Sequence, residues 1–182
     1  MKNTLTALTL KNQDVKAATA FYDRIGDISD LLCESGLTDS RGQIIISMMI
    51  VRRLECDLQN TKKVMLGVVR KEPDLPADRL FRAAGCSFYN LSDYSLETIS
   101  RLGGDAARGF ISYVDAFSSN VKEVLAALNL DETVIRMDEA GCLCETLGII
   151  SEFDISPDRL DSPGFEAMLE LITRLFETDC RA

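Results

Sequence analysis

The residues able to do chemistry fall into three sets. Six cysteines stand at positions 33, 56, 86, 142, 144 and 180. None forms the C-x-x-C spacing that wraps a zinc ion, and Cys142-x-Cys144 is a residue too short for such a knuckle. Lacking any disulfide framework, they read as reduced thiols, most of them small core residues. Carboxylates pair at Asp131/Glu132, Asp138/Glu139 and Asp154/Asp158. Hydrolytic acid–base work needs two carboxylates across a cleft, whereas acids near helix starts are better explained by capping and the helix dipole. Cations pair at Arg52-Arg53 and Lys62-Lys63. These four residues are the candidate contacts to a phosphate backbone or a protein partner. Neighbours on a helix point about 100° apart, so one arginine is expected to be solvated. The other, Arg53, is the candidate for an inward ion pair.

The chain contains no His, which removes His-based triads, His general bases and His metal ligands together. It also lacks G-x-G-x-x-G and G-x-x-x-x-G-K-[ST], the backbone-amide cradles of nucleotide cofactors. Gly103-Gly104 falls between helical segments, not after a strand. No catalytic residue, cofactor or metal is therefore expected. Phe88-Tyr89 reads as a core anchor, because no basic residues interleave with it to make a single-strand platform.

Charge divides the chain. Residues 1–70 carry 10 basic and 8 acidic groups, and residues 71–182 carry 10 and 21. The net charge of −9 argues against a protein that wraps DNA alone, since phosphate neutralisation needs surplus Lys and Arg. An anion-binding face belongs in the first third. With 46% apolar and 27% charged residues in 182, the chain resembles an ordinary globular domain with a sizeable core. No apolar run approaches the roughly 20 residues that span a bilayer. The first residues lack a signal-peptide core and cleavage site, so the expected location is cytoplasmic, away from membranes.

The elements that must position these groups are helical. Val15, Ala18, Phe21, Ile25, Ile28 and Leu32 recur at three-and-four spacing, up to a stop at Gly36. Asp39 or Ser40 offers a cap to a second helix, whose run Ile44 to Val51 is apolar nearly all round and predicts a central position. A third helix begins near Thr61, with Val64, Met65 and Val68 as its buried side. Two prolines in 71–76 break it and mark a possible internal joint. A short helix follows to Gly85, then an extended stretch from Cys86 to Leu91. Helices return at Ser95, after Asp105, from Val121, after Asp131, from Leu143 and from Gly164 to Phe176. The fold expected is all-α: one compact domain over 1–182, with about nine helices and short irregular connections.

Several segments together resemble a known family. Val51-Arg52-Arg53-Leu54-Glu55-Cys56-Asp57-Leu58-Gln59-Asn60-Thr61-Lys62 is similar to the "LRRLDCxLxxTK" segment in the modification (M) subunit of type I restriction-modification systems. Phe88-Tyr89-Asn90-Leu91-Ser92 resembles that family's "FYNTS". Asp105 to Val121, including Tyr113 to Val121, is similar to "NLxxYIxGFSxNVRDI", and Ile135 to Ala140 resembles "IxxLDxAxLL". Phe153-Asp154-Ile155-Ser156-Pro157-Asp158 resembles "FxxIDLHPD", with Ser156 in place of the His. Glu166 to Phe176 is similar to "IFEELIRRF". The segments keep family order across about residues 18–178.

The resemblance implies a helical N-terminal domain that helps clamp DNA and packs against the specificity subunit and a neighbouring M subunit. It does not carry over an active site. The family's adenine-N6 methyltransferase motifs, the cofactor glycines and an Asn-Pro-Pro-Phe segment, have no counterpart in these 182 residues. The expected function is thus a non-catalytic assembly and DNA-clamping domain, binding duplex DNA weakly on its own. The alternative is a stand-alone acidic homologue that inhibits restriction-modification by competing for subunits or mimicking DNA. A mimic would present its acids in rows.

Overall fold

A computed structural model describes residues 19–177, apart from position 73. Val15, Ala18, Cys180 and the N-terminal segment lie outside the described residues. Among the described residues ten α-helices form: α1 over 19–34, α2 Arg41–Leu58, α3 Lys62–Lys71, α4 Ala77–Ala84, α5 Leu96–Ile99, α6 Ala106–Asp115, α7 Ser119–Ala126, α8 Leu130–Glu139, α9 Leu143–Ser151 and α10 Ser162–Glu177. Short 3-10 turns, Thr38–Ser40 and Gly103–Asp105, precede α2 and α6. The all-α expectation holds, and no strand forms among the described residues. The extended stretch before α5 makes one isolated bridge, Asn90 to Phe117.

The apolar run of α2 makes it the central helix. Ile45, Met48, Met49 and Val51 are fully buried. A helix apolar all round must be covered on several sides, and α2 packs against both α9 and α10. Contact with α10 is close: a Cβ added at Gly42 would meet Phe176 Cβ at 2.8 Å. On the other side, α6 packs against α5, α7, α8 and α9, with Phe110 and Tyr113 buried in the same core.

The segment 71–76 lies between α3 and α4, which pack on each other. Pro76 sits one position earlier than the first turn of α4, at the cap with extended backbone, φ −68° and ψ 151°. This suits a residue that lacks an N–H to donate. Gly85 closes α4 in the left-handed region at φ 70°, where a Cβ would be strained.

Other expectations need correction. Ser40 and Asp105 occupy cap positions, but neither side chain makes a cap hydrogen bond. Asp105 pairs instead with Arg108 at 2.6 Å. Asp131 lies inside the first turn of α8, and Asn129 takes the cap with φ 50°. Val64 is 65% exposed. The helix is rotated so that Met65 faces the core and Lys62 packs over the Tyr113 ring. Among the described residues no helix is long and apolar enough to cross a membrane.

Candidate functional site

The two arginines on α2 diverge, and neither is solvated. Arg53 turns toward the segment after α9. Its Nη1 donates to the carbonyls of Ile155 at 2.8 Å and Leu160 at 2.5 Å. Its Nε stands 3.0 Å from Asp57 Oδ1. The guanidinium also lies 5.3 Å from the centre of the Phe165 ring on α10, within cation–π range. The Nε, the Nη1 and one face of the guanidinium thus have partners, as suits a side chain only 10% exposed. Burial still pushes the Asp57 carboxyl up, with Arg53 opposing that shift.

Arg52 meets the start of the same stretch and turns its Nη1 toward Glu55. Its Nε donates to the Phe153 carbonyl at 2.9 Å and its Nη1 to Glu55 Oε2 at 2.6 Å. Glu55 Oε1 then accepts the backbone N–H of Leu96 at 2.8 Å. That N–H is one of the orphan donors at the start of α5. Ser95 and Thr98 complete the start of α5 with a reciprocal capping box.

The outer edge of this lattice borders an open groove of about 950 Å³ between α2, α3 and the 93–97 turn. Arg52, Lys62 and Lys63 line it, together with Arg70. Arg53 does not. Three of the four candidate cations are thus brought together, and the fourth is held inside the fold. Arg70 escaped the sequence reading, although it follows Lys63 by seven residues. That is two helical turns, which puts both on one face.

The groove's cations differ in how free they are. Arg52 is committed to Glu55 and the Phe153 carbonyl. Lys62 donates to the Tyr94 carbonyl and stands 5.0 Å from the centre of the Tyr113 ring. Burial lowers its pKa, against the opposing pull of Glu55 and Asp93. Arg70 pairs with Asp93 at 2.6 Å, with both side chains about 70% exposed; such a pair contributes little and exchanges readily. Lys63 is exposed and, among the described residues, makes no ion pair. The carboxylates Glu55, Asp93 and Glu97 share the lining, so the groove is mixed in charge. It suits an extended polar partner or a few phosphates.

The other chemical candidates are dispersed. Asp131 and Glu132 lie in the first turn of α8, where the helix dipole favours them. Asp154 accepts the Ser156 hydroxyl at 2.8 Å, which with Arg159 holds its carboxyl below the usual range. Burial raises the Cys56 and Cys142 thiols, so both are held as thiols, not thiolates. Among the described residues no three His, Cys, Asp or Glu side chains gather as a metal site. No protein-family model, curated protein or solved structure matches the chain.

Proposed function

We propose that this chain is a non-catalytic helical assembly module of the kind found at the N-terminus of type I modification subunits. It works in the cytoplasm and packs against a specificity subunit and an M subunit. One observation carries the reading: the segments that resemble that family are tied to one another. Arg52 and Arg53 of the first hold the Phe153 and Ile155 carbonyls of the fifth. Asn90 of the second donates to the Tyr113 carbonyl within the third at 2.9 Å. Ser118 of the third returns its N–H to the Tyr89 carbonyl at 3.0 Å. Residues spaced along the chain in family order thus serve one internal scaffold, as a shared fold requires.

The test is co-expression with a type I specificity subunit and M subunit, followed by size-exclusion chromatography with light scattering. A stoichiometric complex is expected. A folded chain that elutes alone overturns the proposal. Duplex DNA should bind only weakly, through Lys63 and Arg70. Two phosphate contacts give a salt slope of about −1.8, read by fluorescence anisotropy between low and moderate salt. A slope of about −4 or steeper would return Arg52 and Arg53 to the interface.

A second reading, an acidic homologue that mimics DNA, is favoured by a separate feature. Asp23, Asp27, Asp30 and Glu34 are exposed on one face of α1 and, among the described residues, make no ion pair. At 1.5 Å per residue they form a row about 16 Å long. Under this reading the chain displaces DNA from an assembled type I enzyme, and replacing these four acids by their amides abolishes that displacement. Displacement that survives the replacement rejects the mimic.

A further inference from the structure

Lys62 stands apart from the other cations of the groove. Its Nζ donates to the Tyr94 carbonyl and lies over the ring of Tyr113, which is 1% exposed. The charged groups that share the groove with it are Glu55 and Arg52 on α2, Asp93 before α5, Glu97 on α5, and Lys63 and Arg70 on its own helix, with Glu55 and Asp93 acting on its charge. Desolvation is the largest influence on its protonation and favours the neutral amine. A lysine in such surroundings gives up its proton more readily than a solvated one, which leaves its lone pair available for attack. The groove beside it is open and has room for a small ligand. It also offers two cations, Lys63 without a partner and Arg70 in an exposed ion pair, which suit a phosphoryl group.

We infer that Lys62 is an acylation site for small acyl phosphates. The groove's cations hold the phosphate while the Nζ lone pair attacks the acyl carbon. The N–C bond forms, and the bond from the acyl carbon to the bridging oxygen breaks. Its electron pair leaves on phosphate, which takes up the proton released by the amine. The products are an ε-N-acyl lysine and inorganic phosphate, with no change of oxidation state. The neutral amide keeps one N–H for the Tyr94 carbonyl, so the product fits where the amine stood. This inference rests on the groove itself and stands whether or not the assembly reading holds.

The experiment treats the folded protein with acetyl phosphate near neutral pH and follows acylation of each lysine by tandem mass spectrometry. Lys62 is expected to acquire the acetyl group several-fold faster than Lys63, and this preference should vanish in urea. N-acetylimidazole, a neutral donor, should show a smaller preference for Lys62. Arg70→Gln should slow the reaction with acetyl phosphate but not with the neutral donor. Equal rates at the two lysines, or a preference that persists in urea, overturns the site. The same preference with both donors overturns the assignment to acyl phosphates.

Discussion

Arg53 and Ile155 are 102 positions apart, yet the guanidinium Nη1 donates to the Ile155 carbonyl at 2.8 Å inside the fold. This bond, with its neighbour to Leu160, fixes the irregular stretch between α9 and α10 against the central helix.

Arg53→Glu should therefore collapse stability. The change deletes two hydrogen bonds to carbonyls, places like charges beside Asp57 and removes the cation from the Phe165 ring. Breaking a buried pair from one side costs about 3–5 kcal/mol. Thermal melts by circular dichroism should show a large drop for this variant. Lys63→Glu, on the exposed face of α3, should stay within about 0.5 kcal/mol of wild type. A melt unchanged by Arg53→Glu would mean that these contacts carry little of the fold.

Asn90→Ala should destabilise the fold, although Asn90 itself does not line the groove. The side chain is fully buried. It donates to the Tyr113 carbonyl at 2.9 Å and accepts the Ser92 N–H at 2.8 Å. Leaving those buried partners unsatisfied costs about 1–3 kcal/mol. Urea titration should show a lower midpoint with an unchanged slope. A midpoint equal to that of wild type would show that the Tyr113 carbonyl and the Ser92 N–H find other partners.

Alkaline pH should unfold the protein in stages. Burial raises Cys56, Cys142 and Tyr113 above their ordinary values. Each group holds its proton more tightly when folded than when unfolded. The stability it contributes is full below the unfolded pKa, about 8.5 for thiols and about 10 for tyrosine. It is lost as pH rises from there toward the folded value. Lys62 has the opposite sign, because its lowered pKa makes stability rise with pH as the folded amine deprotonates first. Three groups oppose one, so the melting temperature should fall above about pH 8.5. Tyr113→Phe should flatten the fall above about pH 10. A fall of the same steepness in that variant would remove Tyr113 from the account.

Much of the fold was legible because helical periodicity is a local signal. The run Ile44 to Met49 has no polar face to offer solvent beyond Ser47, and only a central position satisfies it. The groove was half legible. Adjacent cations announce themselves in sequence, but their partners do not. Nothing near Arg52 or Arg53 reveals that carbonyls 100 residues away return to meet them. The burial of Val64 was misjudged for a related reason. Spacing alone gives Val64 and Met65 equal claims to the core, and Tyr113 decides the rotation by drawing Lys62 over its ring. Glu55 as the acceptor for Leu96 was also invisible, since that pairing depends on where a distant helix begins.

The long tie between α2 and the segment after α9 has a consequence during synthesis. A ribosome adds about 5–20 residues per second. Some 100 residues separate Arg53 from its carbonyl partners. For roughly 5–20 s after α2 emerges, its apolar faces and its arginine must wait for the covering that α9, α10 and the stretch between them supply. The nascent chain spends that interval with the long apolar stretch Ile44 to Val51 of α2 uncovered, the segment with most to lose from a stalled ribosome.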